Sequence, residues 1–273
     1  MNFENFLIVT DLDGTLFNRN QAVPERSVNA IEYFKKNGGN FTFATGRNRK
    51  FIDRRFAFLK DLINAPAITS NGAYVHDFFS GEVYYDLSFD YDFSHNLLKE
   101  ITKKFPDMPI EIDTRDSFYV LNPTDHFYKR YTNMTDLVTF ANTPIVPEED
   151  IVRILYIDYD TDRIKAAADF TYEYVKNNPI ELVFSESFIF EILPKGATKG
   201  NGVNQLRKIF NRDLTVISAG DWNNDMSQLV AADIAVCPSN ANDDVKRICK
   251  HILCDCDEGV IADIVKNIEN GTF

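Results

Sequence analysis

The sequence predicts an α/β protein, in which a doubly wound core with a parallel sheet carries an inserted α+β domain. At both ends of the 273-residue chain, short apolar runs alternate with helical patterns, as they do in βαβ units. In the middle of the chain, strand-like segments are longer and alternate apolar with polar residues, as in antiparallel sheets. We expect residues 1–80 and 193–273 to form the core and residues 81–192 to form the inserted domain.

The first part of the chain supplies the first half of the core. Phe6–Thr10 (FLIVT) is a short apolar run, typical of a parallel strand that is buried on both faces. A helical pattern begins at Pro24 and stops at Asn37-Gly38-Gly39, where glycine favours a helix end. Three further elements are expected in this part, a strand at 41–44, a helix at about 49–63 and a strand at 67–70.

The middle and last parts of the chain differ in their strands. The segments EVYYDLSF, IVRILYIDYD and ELVFSESFIFEI predict longer strands, with helices near 94–105 and 163–175 among them. After residue 192 the short apolar runs return at 214–219 and 233–236, and a helix is expected at 200–210. The parallel-sheet pattern therefore resumes after the insertion.

Composition and charge exclude several classes of protein. The chain has 44% hydrophobic and 26% charged residues, and its formal net charge is −12. Such an acidic chain is not expected to bind nucleic acid or an anionic membrane, because both require basic patches. No segment resembles a signal peptide or a membrane span. The four cysteines all lie in the last quarter without disulfide or zinc spacing, which favours a reducing, cytoplasmic location.

Polar residues follow three of the predicted core strands directly. Asp11 and Asp13 follow the first strand, and the segment Thr45-Gly46-Arg47 follows the second. Asp221 follows the strand at 214–219, and Asn224 and Asp225 come within the next turn. Ligands of open parallel sheets gather at the carboxyl ends of the strands. The sequence therefore predicts that four carboxylates face one crevice.

A cluster of four carboxylates requires a cation. Two unit charges 4 Å apart repel by about 4 kcal/mol at an effective dielectric constant near 20. The candidate ligands are all oxygens, which selects a hard cation, and Mg²⁺ suits a site that keeps waters for a substrate phosphate. Lys199, at the start of a predicted helix, is the expected second cation.

Four motifs resemble those of a known family. DLDGTL, ATGR, Lys199 in PKGATKG, and GDWNND are similar, in this order, to the four motifs of the haloacid dehalogenase superfamily of phosphatases. The tail PSNANDDVKRICKHILCDCDEGV resembles the end of the Cof-type, subclass IIB branch. This resemblance implies a Rossmann-like core and an inserted type-2 (C2B) cap. The stretch between Asp11 and Thr45 is too short for an inserted domain, whereas that between Thr45 and Lys199 is ample, which agrees with a type-2 cap.

The resemblance implies catalytic roles for residues of the core. Asp11 is the expected nucleophile, which forms an aspartyl-phosphate, and Asp13 is the expected general acid and base. Thr45 and the amide of Gly46 are expected to bind the transferred phosphoryl group. Lys199 is expected to neutralise charge on Asp11 and on the phosphoryl oxygens.

The resemblance also implies a metal site. Asp11, the backbone carbonyl of Asp13, and Asp221 are the expected Mg²⁺ ligands, and Asp225 is expected to support the metal through water or hydrogen bonds to its ligands. Asn224 is expected to contact phosphate or to orient Lys199.

Two assignments have rivals in the sequence. Arg47 either touches the substrate or the cap, or covers the neighbouring helix together with Arg49 and Lys50. Lys195 is close to Lys199 in sequence, but the Lys-Gly pair that opens a helix favours Lys199. A further acidic stretch, CDCDEGV (residues 254–260), could suggest a metal cluster but is better explained as a helix start.

These observations predict a Mg²⁺-dependent phosphatase that hydrolyses a small phosphorylated metabolite, with a sugar phosphate as the expected substrate. We expect no nucleic-acid or membrane partner, and a monomer or weak homodimer. One alternative is a phosphotransferase or phosphomutase, which shares the chemistry up to the aspartyl-phosphate. The other alternative is a catalytically idle regulatory binding protein, against which the complete set of motif residues argues.

Overall fold

The computed structural model describes residues 2–143, 147–178 and 180–273. The chain divides into two compact units. Unit 1 comprises the described residues of segments 1–46, 56–86 and 198–273, and unit 2 comprises those of segments 47–55 and 87–197. The predicted extents of the core and of the inserted domain stay predictions. Among the described residues, no helix combines the length and the apolar character needed to cross a membrane.

Unit 1 is built on a five-stranded parallel sheet with strand order β14-β13-β12-β1-β2. Its strands are β1 (Phe6–Thr10), β2 (Asn40–Phe43), β12 (Thr215–Ala219), β13 (Ile234–Pro238) and β14 (His251–Leu253). The helices of this unit are α1 (Glu25–Lys36), α3 (Leu59–Leu62), α7 (Lys199–Phe210), α8 (Met226–Ala231), α9 (Asp243–Ile248) and α10 (Val260–Glu269). Short 3-10 turns span Ser70–Gly72, Asn223–Asp225 and Cys256–Glu258.

The central strand of this sheet is buried on both faces, as its apolar run predicts. Leu7, Ile8 and Val9 are completely buried, and Leu7 and Val9 share a hydrophobic cluster with Val203 and Leu206 of α7. In register, Thr10 of β1 pairs with Ala219 of β12 and Phe43 of β2. The carboxyl ends of these three strands therefore meet at one edge of the sheet, which is where the predicted site residues follow them.

A small antiparallel sheet also belongs to unit 1. It contains β3 (Ala67–Thr69), β4 (Tyr74–His76) and β5 (Val83–Asp86), in that order. A single parallel bridge between Ala44 and Ile68 joins β3 to the end of β2. The predicted third core strand is thus present, but it pairs as the first strand of a hairpin.

The helix expected over residues 49–63 is wrong as one element. The structure has α2 (Arg49–Arg55) in unit 2 and the short α3 in unit 1. Residues 56–58 interrupt the helical hydrogen bonding, and the side chain of Phe56 turns into an aromatic contact with Phe17, with ring centroids 4.9 Å apart. Burial of this ring overrides a helical pattern that has no glycine or proline to mark the break.

Unit 2 contains a six-stranded sheet with strand order β10-β11-β9-β6-β7-β8, in which only the β7–β8 pair is parallel. Its strands are β6 (Ile110–Thr114), β7 (Phe118–Leu121), β8 (Val138–Ala141), β9 (Ile151–Ile157), β10 (Ile180–Glu186) and β11 (Ile189–Pro194). Besides α2, its helices are α4 (Tyr91–Lys104), α5 (Asp125–Arg130) and α6 (Thr161–Val175). Both α4 and α6 contribute apolar residues to one hydrophobic core with the sheet. The α/β fold class and the mainly antiparallel inserted sheet are confirmed.

Candidate active site

Carboxylates and one lysine converge at the carboxyl edge of the parallel sheet in unit 1. Asp11 directly follows β1, and its backbone N–H donates to the carbonyl of Ala219, the last residue of β12, at 2.8 Å. This bond brings the segment after β1 next to the segment after β12. Oxygens of Asp11, Asp221 and Asp225 lie within 4.8 Å of one another. The predicted gathering of acids from distant parts of the chain is therefore present for these three residues.

Lys199 reaches this cluster from the first turn of α7. Its Nζ donates to Oδ1 of Asp11 at 2.5 Å and to Oδ1 of Asp225 at 2.6 Å. The side chain of Thr198 caps the helix by accepting from the N–H of Asn201. The lysine is 1% exposed, whereas its rival Lys195 is exposed. The structure thus brings Lys199 to the acids.

Asp225 is held by nitrogen donors on both of its carboxylate oxygens. Oδ2 accepts from the backbone N–H groups of Asp221 and Trp222, at 2.9 and 3.0 Å. Oδ1 accepts from Lys199 and, at 3.1 Å, from Nε2 of Gln228. Because its lone pairs are engaged in this way, Asp225 is suited to orient its neighbours rather than to bind a metal directly. This agrees with its expected supporting role.

Asp221 is oriented by a hydroxyl that the sequence interpretation overlooked. Oγ1 of Thr15, within the DLDGTL motif, donates to Oδ1 of Asp221 at 2.7 Å. Gly14, which precedes Thr15, has a φ of +77°. A Cβ at this position would lie 2.5 Å from Oδ2 of Asp221. The glycine is therefore required both for the backbone conformation and for the close approach of the carboxylate.

The electrostatics of the acids favour a bound cation. Burial raises the pKa of Asp11 well above its usual value, and the charge of Asp225 raises it further, although Lys199 opposes both. Burial and Asp225 likewise raise the pKa of Asp221 to about 7. The charge of Asp13, whose side chain is exposed, raises the pKa of both groups. Burial lowers the pKa of Lys199, but Asp11 and Asp225 more than offset this effect and raise it overall.

The donor set fits a hard divalent cation. Hydrogen bonds engage Oδ1 of Asp11 and Oδ1 of Asp221, and within the described part of the chain Oδ2 of each accepts none. These two carboxylate oxygens, one on the buried Asp11 and one on the half-buried Asp221, are the ligand type that Mg²⁺ prefers. Asp11 and Asp221 are therefore the side chains that would hold the metal.

The remaining predicted residues of the core lie near these groups. Thr45 follows β2, the sheet neighbour of β1, and its N–H donates to the carbonyl of Ile68 at 2.9 Å. A Cβ on Gly46 would lie 3.1 Å from Nδ2 of Asn71. Asn224 donates from Nδ2 to Oδ1 of Asn71 at 3.3 Å. Sequence interpretation did not identify Asn71, although it follows β3 just as the predicted site residues follow their strands.

Arg47 differs from the other predicted residues because it belongs to unit 2. Its guanidinium lies over the ring of Phe51, 5.0 Å from the centroid, in the adjoining helix α2. This contact matches the expectation that Arg47 covers the neighbouring helix. Its contact with substrate stays a prediction.

The acidic stretch at residues 255–257 is engaged by arginine. Oxygens of Asp255 and Asp257 lie together with the thiol of Cys256, but the guanidinium of Arg19 forms ion pairs with both carboxylates. The segment forms a 3-10 turn that leads into α10, as expected of a helix start.

Comparisons with known proteins place this geometry in a family. Residues 8–265 match the family of haloacid dehalogenase-like hydrolases. The phosphatase YwpJ of Bacillus subtilis is 26% identical over 96% of this chain and 99% of its own length. The 5-amino-6-(5-phospho-D-ribitylamino)uracil phosphatase YwtE of the same organism is 26% identical over 97% of this chain and 99% of its own length. A solved subclass IIB sugar phosphatase, 23% identical, superimposes with a TM-score of 0.80 over 97% of this chain and 99% of that chain, which shows a shared fold.

The family match covers both segments that supply the acids and the lysine, together with the whole inserted region. The resemblance seen in the four motifs is thereby confirmed, as is the class of enzyme, a haloacid dehalogenase-type phosphatase. The chain belongs to the haloacid dehalogenase-like hydrolase family.

Proposed function

We propose that the protein is a Mg²⁺-dependent phosphatase that hydrolyses a small phosphorylated metabolite through an aspartyl-phosphate on Asp11. The observation that carries this proposal is the convergence of Asp11, Asp221 and Asp225 with the ammonium of Lys199. A buried carboxylate paired with a lysine, beside a site for a divalent cation, can approach a phosphoryl group whose own charge is neutralised.

The residues of the chain have distinct tasks in this mechanism. The carboxylate of Asp11 attacks phosphorus, while Lys199 donates to its Oδ1 and offsets negative charge. Asp13 protonates the leaving oxygen and then takes a proton from the water that attacks the aspartyl-phosphate. Thr45 and the N–H of Gly46 donate hydrogen bonds to the phosphoryl oxygens. Asp11 and Asp221 would hold Mg²⁺, which would supply positive charge that neutralises the phosphate.

We propose a phosphorylated sugar or polyol as the substrate class. Two observations support this proposal: the relative YwtE is named for a phosphorylated ribityl compound, and the subclass IIB neighbour of the same fold is named a sugar phosphatase. A cytoplasmic location and a monomeric or weakly dimeric state stay predictions.

Trapping the intermediate tests this mechanism. A phosphorus-labelled ester such as p-nitrophenyl phosphate is mixed with the enzyme and Mg²⁺ and quenched in acid, and borohydride then reduces any aspartyl-phosphate to homoserine. We expect homoserine at position 11. We also expect Asp11→Asn to lose at least roughly 10³-fold in turnover. Asp257→Asn, which changes an exposed acid of the arginine-bound cluster, should keep wild-type turnover.

Turnover that survives in Asp11→Asn, or that continues unchanged in EDTA, would contradict the proposal and favour a different chemistry, whereas a wild type without any turnover would favour the idle binding protein. The phosphotransferase alternative shares the labelled intermediate. The hydrolase and the phosphotransferase are distinguished by their products. Release of inorganic phosphate without any added sugar supports the hydrolase, whereas turnover that requires a sugar acceptor supports the transferase.

A further inference from the structure

Three consecutive residues of unit 1 adopt left-handed backbone conformations. They form the turn after β3, with φ of 49° at Ser70, 52° at Asn71 and 96° at Gly72. Ser70 and Asn71 are 3% and 2% exposed. Left-handed conformations are unfavourable for residues with a Cβ, and two in succession persist only where the surroundings hold them. The contacts of this turn show what it holds.

The backbone of the turn determines the orientation of the Thr45–Gly46 peptide. The N–H of Asn71 donates to the carbonyl of Thr45 at 3.0 Å. Because a trans peptide is planar, the carbonyl of one residue and the N–H of the next point in opposite directions. The bond from Asn71 therefore sets the direction of the Gly46 N–H, the proposed donor to the phosphoryl group.

The side chain of Asn71 lies between two segments of the site. Its Oδ1 accepts from Nδ2 of Asn224 at 3.3 Å. Its amide also lies against Gly46, where an added Cβ would be 3.1 Å from Nδ2 and 3.2 Å from Oδ1. One side chain thus connects the segment after β2 with the segment after β12.

The third residue of the turn packs against the start of α7. A Cβ on Gly72 would overlap the carbonyl oxygen of Thr198 and approach the backbone nitrogen of Lys199 to 3.0 Å. Only glycine permits both this contact and the positive φ. The turn consequently contacts three segments of the site. The first contains Thr45 and Gly46, the second contains Asn224, and the third is the start of α7 with Lys199.

We infer that Asn71 is a positioning residue, which holds the N–H of Gly46 and the amide of Asn224 in the orientation that the phosphoryl-transfer transition state requires. This inference rests on the proposed function. Asn71 does not touch the reacting atoms in this role; it acts through the Thr45–Gly46 peptide and through Asn224. Asparagine suits the position because it tolerates the left-handed conformation better than other residues with a Cβ.

The variant Asn71→Gly tests this role, since it keeps the left-handed backbone but removes the amide. We expect kcat to fall roughly 10- to 100-fold, with KM nearly unchanged. Orthovanadate mimics the five-coordinate transition state, so its inhibition constant should rise by the same factor. The inhibition constant of inorganic phosphate, a ground-state ligand, should change little. A structural role alone would change the amount of active enzyme but not this ratio of inhibition constants.

The matched control is Asn211→Gly. Asn211 is also left-handed, with φ of 46°, but it ends α7 at the opposite end from Lys199. We expect wild-type kinetics and a wild-type vanadate-to-phosphate ratio in this variant. An unchanged ratio in Asn71→Gly, or an equal change in Asn211→Gly, would overturn the inference.

A second variant tests the inference even if Asn71→Gly does not fold. Asn224→Ala removes the hydrogen bond between Asn224 and Asn71 without a substitution in the turn itself. We expect the inhibition constant of vanadate to rise and that of phosphate to change little. An unchanged inhibition constant of vanadate would count against the role of Asn71. Asp11→Asn, assayed alongside, separates the two proposals. If Asp11→Asn retains turnover, the proposed function fails, whereas an inactive Asp11→Asn with an unaltered vanadate ratio in Asn224→Ala refutes only the positioning role.

Discussion

The ammonium of Lys199 bridges Asp11 and Asp225, at 2.5 and 2.6 Å from one oxygen of each carboxylate. Asp225 is itself immobilised by two backbone N–H groups and by Gln228. Lys199 therefore connects the proposed nucleophile to a fixed point of the structure. Burial lowers the pKa of Lys199, but the flanking carboxylates more than offset this effect and raise it, which favours the charged ammonium.

Replacing Lys199 should abolish this connection. We expect Lys199→Met to lower kcat/KM by roughly 10²-fold or more, because charge that develops in the transition state is no longer offset. Removing one partner from a buried ion pair also costs about 3–5 kcal/mol of unfolding free energy, to be measured by urea titration in EDTA. Lys195→Met, at the exposed rival lysine, should match the wild type in both measurements. Retained activity in Lys199→Met would exclude its proposed role.

Thr15 should tune metal binding through its hydrogen bond to Asp221. Mg²⁺ is expected to raise the thermal unfolding temperature of the wild type, because it binds the folded state. In Thr15→Val, the Mg²⁺ concentration that gives half of this rise should increase roughly 10- to 100-fold, as is usual when a partner of a metal ligand is lost. Thr215→Val, at the far end of β12 from Asp221, is the control. Identical Mg²⁺ titrations of the two variants would refute the role of Thr15.

Gly14 and Gly81 form a matched pair of glycines with φ of +77° and +74°. A Cβ at Gly14 would meet the carboxylate of Asp221, whereas a Cβ at Gly81 has nothing within 4 Å. Substitution by alanine should cost each variant about 1–2 kcal/mol of unfolding free energy through backbone strain. Only Gly14→Ala should also lose the Mg²⁺-dependent thermal shift and most of its turnover. Equal kinetics in both variants would show that the Asp221 contact is dispensable.

A buried charge cluster in unit 2 predicts a pH-dependent stability. Arg153 donates to Oδ2 of Asp113 at 2.6 Å and to Glu191 at 3.2 Å, and lies 3.8 Å from Glu111. Burial raises the pKa of Asp113 to about 7, against the opposing charge of Arg153, and Glu111 raises it further. The desolvation of Asp113 therefore outweighs its ion pair.

Because the pKa of Asp113 is higher in the folded than in the unfolded state, the folded state binds its proton more tightly. The resulting stabilisation is complete below the usual pKa of 3.8 and is lost as the pH rises through about 7. Between these values the free energy of unfolding should fall by up to about 1.4 kcal/mol per pH unit. Asp113→Asn should show a shallower pH dependence in urea unfolding, whereas Asp116→Asn, at an exposed acid paired with Lys50, should keep the wild-type slope. Equal slopes would contradict the assignment.

The rule that ligands gather at the carboxyl ends of parallel strands was sufficient to find most of the candidate site. It identified the segments after β1, β2 and β12, because each acid directly follows an apolar run. Asn71 follows β3 in the same way, but it is uncharged and lies in a hairpin, so no charge pattern drew attention to it. Thr15 was overlooked because its hydrogen-bond partner, Asp221, is distant in sequence and comes close only in the folded chain.

Other features depend on tertiary packing and leave no local signal. The division of the expected 49–63 helix at Phe56 follows from burial of one aromatic ring against Phe17. The second donor to Oδ1 of Asp225 is the side chain of Gln228, which also donates to the carbonyl of Ala219 at the end of β12. Periodicity predicts which face of an element is apolar, but not which polar groups meet across segments.

The parallel pairing of β1 with β12 has a consequence for biosynthesis. Thr15 and Asp221, which bond directly, are 206 positions apart, so β1 is synthesised long before its partner β12. During that interval Phe6–Thr10 has β2 but not β12 to pair with, and its unpaired edge is the kind of surface that chaperones cover. A nascent chain that ends before Asp225 lacks the carboxylate that anchors Lys199, and phosphatase activity should therefore appear only after β12 and Asp225 have been made.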